Sequence, residues 1–199
     1  NSNVERHFAN VKGVTGMTAR MTDVDDMASV VDRAADKLGG LDILVNEFPL
    51  QPDEPLQQID ARLDRLLQSR AVLTNAVCRA AVPLLIKGPQ GRIINIGFLR
   101  SCFAESGGAV FASAERDLRN LTQSFAAKLA PKVKVNSLAP ALVMFNADDD
   151  EAYRRKALDK SLMQREAGLD EFQHAIDYLL QSHYVTGRVL PMDGGRHLR

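Results

Sequence analysis

Short apolar runs separated by much longer amphipathic stretches constrain this chain more than any other feature. Gly40-Leu-Asp-Ile-Leu-Val-Asn46 and Gly91-Arg-Ile-Ile-Asn-Ile-Gly97 read as strands, and Lys134-Val-Asn-Ser-Leu-Ala-Pro140 and the segment Tyr184 to Gly195 follow in order. Between them lie helical patterns. Asp25-Asp26 open one that runs to Lys37, with Gly39-Gly40 as its stop signal. A second spans about Asp60 to Ile86, with Leu63, Leu66, Leu67, Ala71 and Val77 at helical spacing. A third, over about 107–130, is capped by Ser106 or a neighbour and repeats Leu118, Leu121, Phe125 and Leu129 every three or four residues. Strands alternating with helices predict a parallel sheet covered on both faces.

Composition narrows the class further. A chain of 199 residues that is 45% hydrophobic can bury one sizeable core, so residues 1–199 read as a single domain. Its 25 acidic and 25 basic residues cancel and leave no net field to attract nucleic acid or an anionic membrane. No apolar run approaches the roughly 20 residues that span a bilayer, and the polar start has no secretory pattern. Cys78 and Cys102 lack paired spacing, which suggests a reducing compartment and a cytoplasmic protein.

The four strand-like strings resemble the short-chain dehydrogenase/reductase family, from about Val14 to the C-terminus. Thr186-Gly187 and Asp193-Gly194-Gly195 are the most specific part. The resemblance implies a Rossmann-like doubly wound sheet and NAD(P)-dependent chemistry through a Tyr-x-x-x-Lys pair, a Ser and an Asn. Carried onto this sequence, the Tyr position is Phe111 and the Lys position Glu115. The Ser position, thirteen residues before Phe111, is Phe98. The Asn position, in Asp64-Arg65-Leu66-Leu67-Gln68-Ser69-Arg70, is Arg70. None of these four residues can take over the family's role, because general acid/base catalysis needs a titratable group within hydrogen-bond reach of the reacting atom. Ser101, Cys102 and Ser113 lie nearby, with nothing beside them to activate a nucleophile or acid.

The cofactor motifs differ as well. Where the family has Asn-Asn-Ala-Gly, this chain has Asn46-Glu47-Phe48-Pro49, and its Gly and Thr after Pro140 become Ala141 and Phe145. Asp23-Val24 does match the family's adenine-contacting pair, so Asp23, Val24 and Asn46 are the weak cofactor candidates. Neither Gly-x-x-x-Gly-x-Gly nor Gly-x-Gly-x-x-Gly occurs, and Asn1 to Gly13 read as the end of a helix leading into what would be a third strand. Relative to a complete dinucleotide fold, about 30 or more residues, one βαβ unit, are absent from this sequence, either because the natural protein lacks them or because the sequence starts after them.

Other residues have plainer readings. His7, His174, His183 and His197 are scattered without ligand spacing, so no metal site is expected. Asp148-Asp149-Asp150-Glu151 read as the solvated start of a helix, favoured there by its dipole. Arg188 reads as a surface residue of the last strand, and Gly107-Gly108 as a loop.

If the fold is kept, the Asn and Lys positions face each other. Arg70 and Glu115 are then expected to form an ion pair with Phe98 and Phe111 packed above it, plugging the pocket, since either charge alone would pay a desolvation cost of several kcal/mol. The leading functional expectation is a non-catalytic subunit that binds no cofactor itself. It would pair, through the helices about 60–86 and 107–130, with an active NAD(P)-dependent dehydrogenase of the family, such as one acting on a hydroxyacyl-CoA. The alternative is a divergent NAD(P)-dependent oxidoreductase of the 3-oxoacyl reductase type. A third reading is a binding or regulatory protein without turnover.

Overall fold

The structure, a computed structural model, describes residues 11–20, 23–48, 60–97 and 108–198. Among them run helix α1 (Val24–Leu38), strand β1 (Ile43–Asn46), α2 (Asp60–Leu85), β2 (Gly91–Ile96), α3 (Gly108–Leu129), β3 (Val133–Pro140), α4 (Glu151–Leu158), α5 (Leu169–Gln181), β4 (Val189–Met192) and a terminal 3₁₀ turn, Arg196–Leu198. The four strands form one parallel sheet in the order β1-β2-β3-β4, with Ile43 opposite Arg92, Gly91 opposite Val133 and Ser137 opposite Val189. This is the α/β fold the alternation of elements predicts.

Local chemistry sets the helix ends. Asp23 caps α1 by accepting from the amides of Asp25 and Asp26 at 3.1 and 3.0 Å, and Gly39 closes it at φ 79°, where a side chain would be strained. Asp150 caps α4 in the same way, accepting from the Tyr153 amide at 2.7 Å, so the acidic run does open a helix.

Side-chain alternation along the strands separates the two faces. Ile93, Val133 and Val135 point to one side, where Leu73, Val77, Ala81 and Leu85 of α2 meet them with Val31 of α1 and Ala126 of α3. Ile94, Ile96 and Leu138 point to the other side and pack on Leu179 of α5. Burial on both faces is what a parallel sheet requires. α2 and β2 approach so closely that a Cβ on Gly91 would meet the Leu85 carbonyl oxygen at 2.8 Å.

Two buried cations fasten α5. Arg92 and Lys134, neighbours in register, donate from Nε to the Leu180 carbonyl at 3.2 Å and from Nζ to the carbonyls of Leu179 and Ser182. These carbonyls end a helix, where positive charge is favoured. Burial pushes the pKa of both groups down, and Lys134 also feels the charge of Arg92.

The expected strand after Gly13 does not form: residues 14–20 pair with no described strand. Side-chain contacts hold the segment to α1 instead. Arg33 donates to the Thr18 carbonyl at 3.2 Å, and Arg20 bridges to Asp23 and Asp26. The expected caps near Ser106 lie outside the described residues.

Candidate functional site

In a parallel sheet, ligands bind outside the carboxyl ends of the strands. At the ends of β1 and β2, buried polar side chains tie the elements together. Asn46 Nδ2 donates to Asn95 Oδ1 at 2.9 Å and to Cys78 Sγ at 3.2 Å; Asn95 Nδ2 donates to Thr122 Oγ1 at 3.0 Å; Ser137 Oγ donates to the Asn95 carbonyl at 2.8 Å. One network thus joins β1, β2, β3, α2 and α3. Burial pushes the Cys78 thiol up to about 12, against a smaller lowering by the Asn46 hydrogen bond, so it is a protonated, unreactive core group.

Beside this network a small cavity of about 20 Å³ is lined by Phe48, Arg70, Thr74, Ile96, Ala114 and Leu118, among others. That is room for about one water. Arg70 is half-buried, and desolvation lowers its pKa against the attraction of Glu47. An arginine nevertheless stays protonated and cannot serve as a tunable acid or base.

The structure places the expected site residues as follows. Phe111 lies on the first turn of α3 and Glu115 one turn later on the same helix. Glu115 does not provide the expected counter-charge to Arg70. It accepts from Arg119 at 3.1 Å, a partner four residues along its own helix, while Glu47 acts electrostatically on Arg70. Helix geometry explains the correction, because i,i+4 partners are always within reach. Phe98, and with it the Phe98–Phe111 packing, lies outside the described residues.

Of the cofactor candidates, Asn46 is only 5% exposed and its Nδ2 donates to Asn95 and Cys78, so its side-chain amide ties the strand ends. Asp23 caps α1 yet keeps its side chain 37% exposed, and Val24 beside it is exposed. The Asp23 carboxylate already accepts from the Asp25 and Asp26 amides and meets Arg20 at 2.9 Å. Glu47, exposed, sets a negative charge near the same crevice.

Sequence reasoning missed the partners of Asn46, which lie 32 and 49 residues away in the chain, and the buried pair Arg92 and Lys134. Charged residues inside apolar strands were the available signal for that pair. Among the described residues no group of His, Cys, Asp and Glu side chains is arranged to hold a metal ion, and no helix is long and apolar enough to cross a membrane.

Comparison with known proteins places this geometry. A family model described as enoyl-(acyl carrier protein) reductase matches residues 2–197. A dihydromonapterin reductase of Klebsiella pneumoniae is 42% identical over 152 residues, which are 75% of this chain and 62% of that protein. One from Escherichia coli is 57% identical over 89 residues, 45% of this chain and 37% of that protein. The chain thus spans less than two thirds of the length of these curated relatives.

Among solved structures, an apo SCOR enzyme from Clostridium thermocellum superposes with a TM-score of 0.84 at 22% identity, covering 100% of this chain and 80% of that one. A mutant short-chain dehydrogenase/reductase from Serratia marcescens gives 0.81 at 24%, covering 98% and 82%. Similarity to proteins named as reductases overturns the expectation of a non-catalytic subunit and favours the oxidoreductase alternative. By the match over nearly its whole length, the chain belongs to the enoyl-(acyl carrier protein) reductase family of the short-chain dehydrogenases/reductases.

Proposed function

We propose that this protein is an NAD(P)H-dependent reductase acting on the C=N bond of a dihydropterin. The observation that carries the proposal is the 42% identity over 152 residues to a dihydromonapterin reductase. Nicotinamide, when bound, supplies hydride in chemistry of this kind.

The residues at the altered positions suit such an acceptor. Phe111 offers no proton, Arg70 holds its own, and Glu115 is engaged by Arg119. A carbonyl oxygen is a very weak base, so its reduction depends on a placed acid such as the family's Tyr; that assistance is worth about 100- to 10,000-fold. An imine nitrogen is far more basic and takes its proton from water. A site with Phe111 therefore retains the reduction of C=N and loses that of C=O. The network of Asn46, Asn95 and Thr122 fixes the strand ends that frame the crevice.

An assay of the purified protein with NADPH tests this, using a 7,8-dihydropterin and a 3-oxoacyl thioester side by side. Turnover of the dihydropterin alone is expected. Turnover of the thioester alone, or of neither, overturns the proposal.

Assembly also belongs to the proposal: α2 and α3, the two longest helices, form the face through which the chain pairs with another subunit of the family.

A further inference from the structure

Outside the carboxyl ends of β3 and β4 lies a cavity of about 320 Å³, far larger than the one beside Arg70. Three segments wall it: residues 141–142 after β3, the stretch 161–167 between α4 and α5, and residues 191–196 at and beyond the end of β4.

Backbone hydrogen bonds lock these segments to one another. Met163 N–H donates to the Gly194 carbonyl at 3.1 Å, Ala167 N–H to that of Leu142 at 3.2 Å, and Ala141 N–H to that of Met192 at 3.0 Å. Gly194 and Gly195 take φ of 58° and 79°, so close to the middle segment that a Cβ would meet Ser161 at 3.3 Å and Leu162 at 3.1 Å. Between Met163 and Arg165, which both line the cavity, Gln164 is held at φ 50°, the one non-glycine residue with positive φ among the described residues. Backbone held in so sparsely populated a region persists only where its surroundings over-determine it, and such residues cluster at ligand sites.

The lining carries both signs of charge, with Arg165 and Arg196 beside Glu166 and Glu171. Leu142, Met163 and Met192 supply apolar, polarizable wall. Glu166 and Glu171 face the cavity with no ion-pair or hydrogen-bond partner among the described residues, whereas Asp193 is spent on Gly195 and His197. Such a space suits a flat ring that carries adjacent N–H donors on one edge. A pterin has that edge in its ring N3–H and exocyclic 2-amino group, and a carboxylate can accept from both at once.

We propose that this cavity is the pterin-edge subsite of the enzyme, with Glu166 accepting from N3–H and the 2-amino group and Met163 and Met192 against the ring. The inference rests on the dihydropterin reading above and adds the residues that would set it.

Pterin fluorescence gives a binding readout independent of turnover. Wild-type protein, Glu166→Gln and Glu171→Gln are titrated with pterin and with lumazine, which has an oxo group in place of the 2-amino group. Wild type is expected to prefer pterin by about tenfold, and Glu166→Gln to lose that preference together with about tenfold in pterin affinity, the size of one charge-assisted contact. Wild-type affinities for pterin in both Gln variants would overturn the subsite and leave the dihydropterin reading standing. Failure of wild type to bind pterin at all would overturn both.

Discussion

Asp193 organises the last turn of the chain from a single buried position. Its carboxylate, 6% exposed, accepts from the amides of Gly195 and His197 at 3.0 Å each and meets the His197 ring at 2.7 Å. Burial pushes its pKa up, and these hydrogen bonds more than offset that, holding the group below the ordinary carboxylate range. A carboxylate with a depressed folded-state pKa stabilises the protein above its unfolded pKa of about 3.9, and the contribution disappears as pH falls through the lower folded value. Asp193→Asn is expected to lower stability by about 1 kcal/mol at pH 7, the usual worth of such a cap. The deficit should shrink below pH 4, which melting curves at pH 7 and pH 3.5 would show. An equal deficit at both pH values would rule out the ionised carboxylate as its source.

Among the elements, the strand ends at β1 and β2 depend on Asn95, the one residue that both accepts from Asn46 and donates to Thr122. Asn95→Leu keeps the number of side-chain heavy atoms, removes the Asn95 partner of both Asn46 and Thr122 and crowds a buried site, so a loss of about 2–4 kcal/mol is expected. Urea unfolding would register it as a midpoint lowered by about 1 M or more. An unchanged midpoint would mean that the network is dispensable.

Much of the fold at this scale was legible. Helical spacing placed 25–37, 60–86 and 107–130 within a residue or so of α1, α2 and α3, because each buries one apolar stripe. Helix α5 escapes a sequence reading: Gly168 precedes it with no side-chain cap to mark its start, and its fastening comes from Arg92 and Lys134, distant in the chain. The expected partner of Glu115 failed for the converse reason, a local rival at i+4 outcompeting a distant one. The candidate site was legible only where family motifs marked it, and the cavity behind Gln164 is written in backbone conformation that no residue pattern announces.

For the whole molecule, α2 carries Val72 at 52% exposure on the proposed assembly face. Val72→Arg is expected to shift the mass measured by light scattering toward the monomer without changing the melting temperature by more than a few degrees. A wild type that is already monomeric would end the assembly proposal. Among the described residues, strand β1 leaves Ile43 and Val45 44% and 45% exposed, and the four strands pair in chain order, each beside its predecessor. Within the run from β1 to β4, each strand can therefore pair with the one made just before it. The pace of folding is then set by closure of the crossovers of some dozens of residues that carry α2 and α3, a slow search of the kind that long-range parallel pairing imposes.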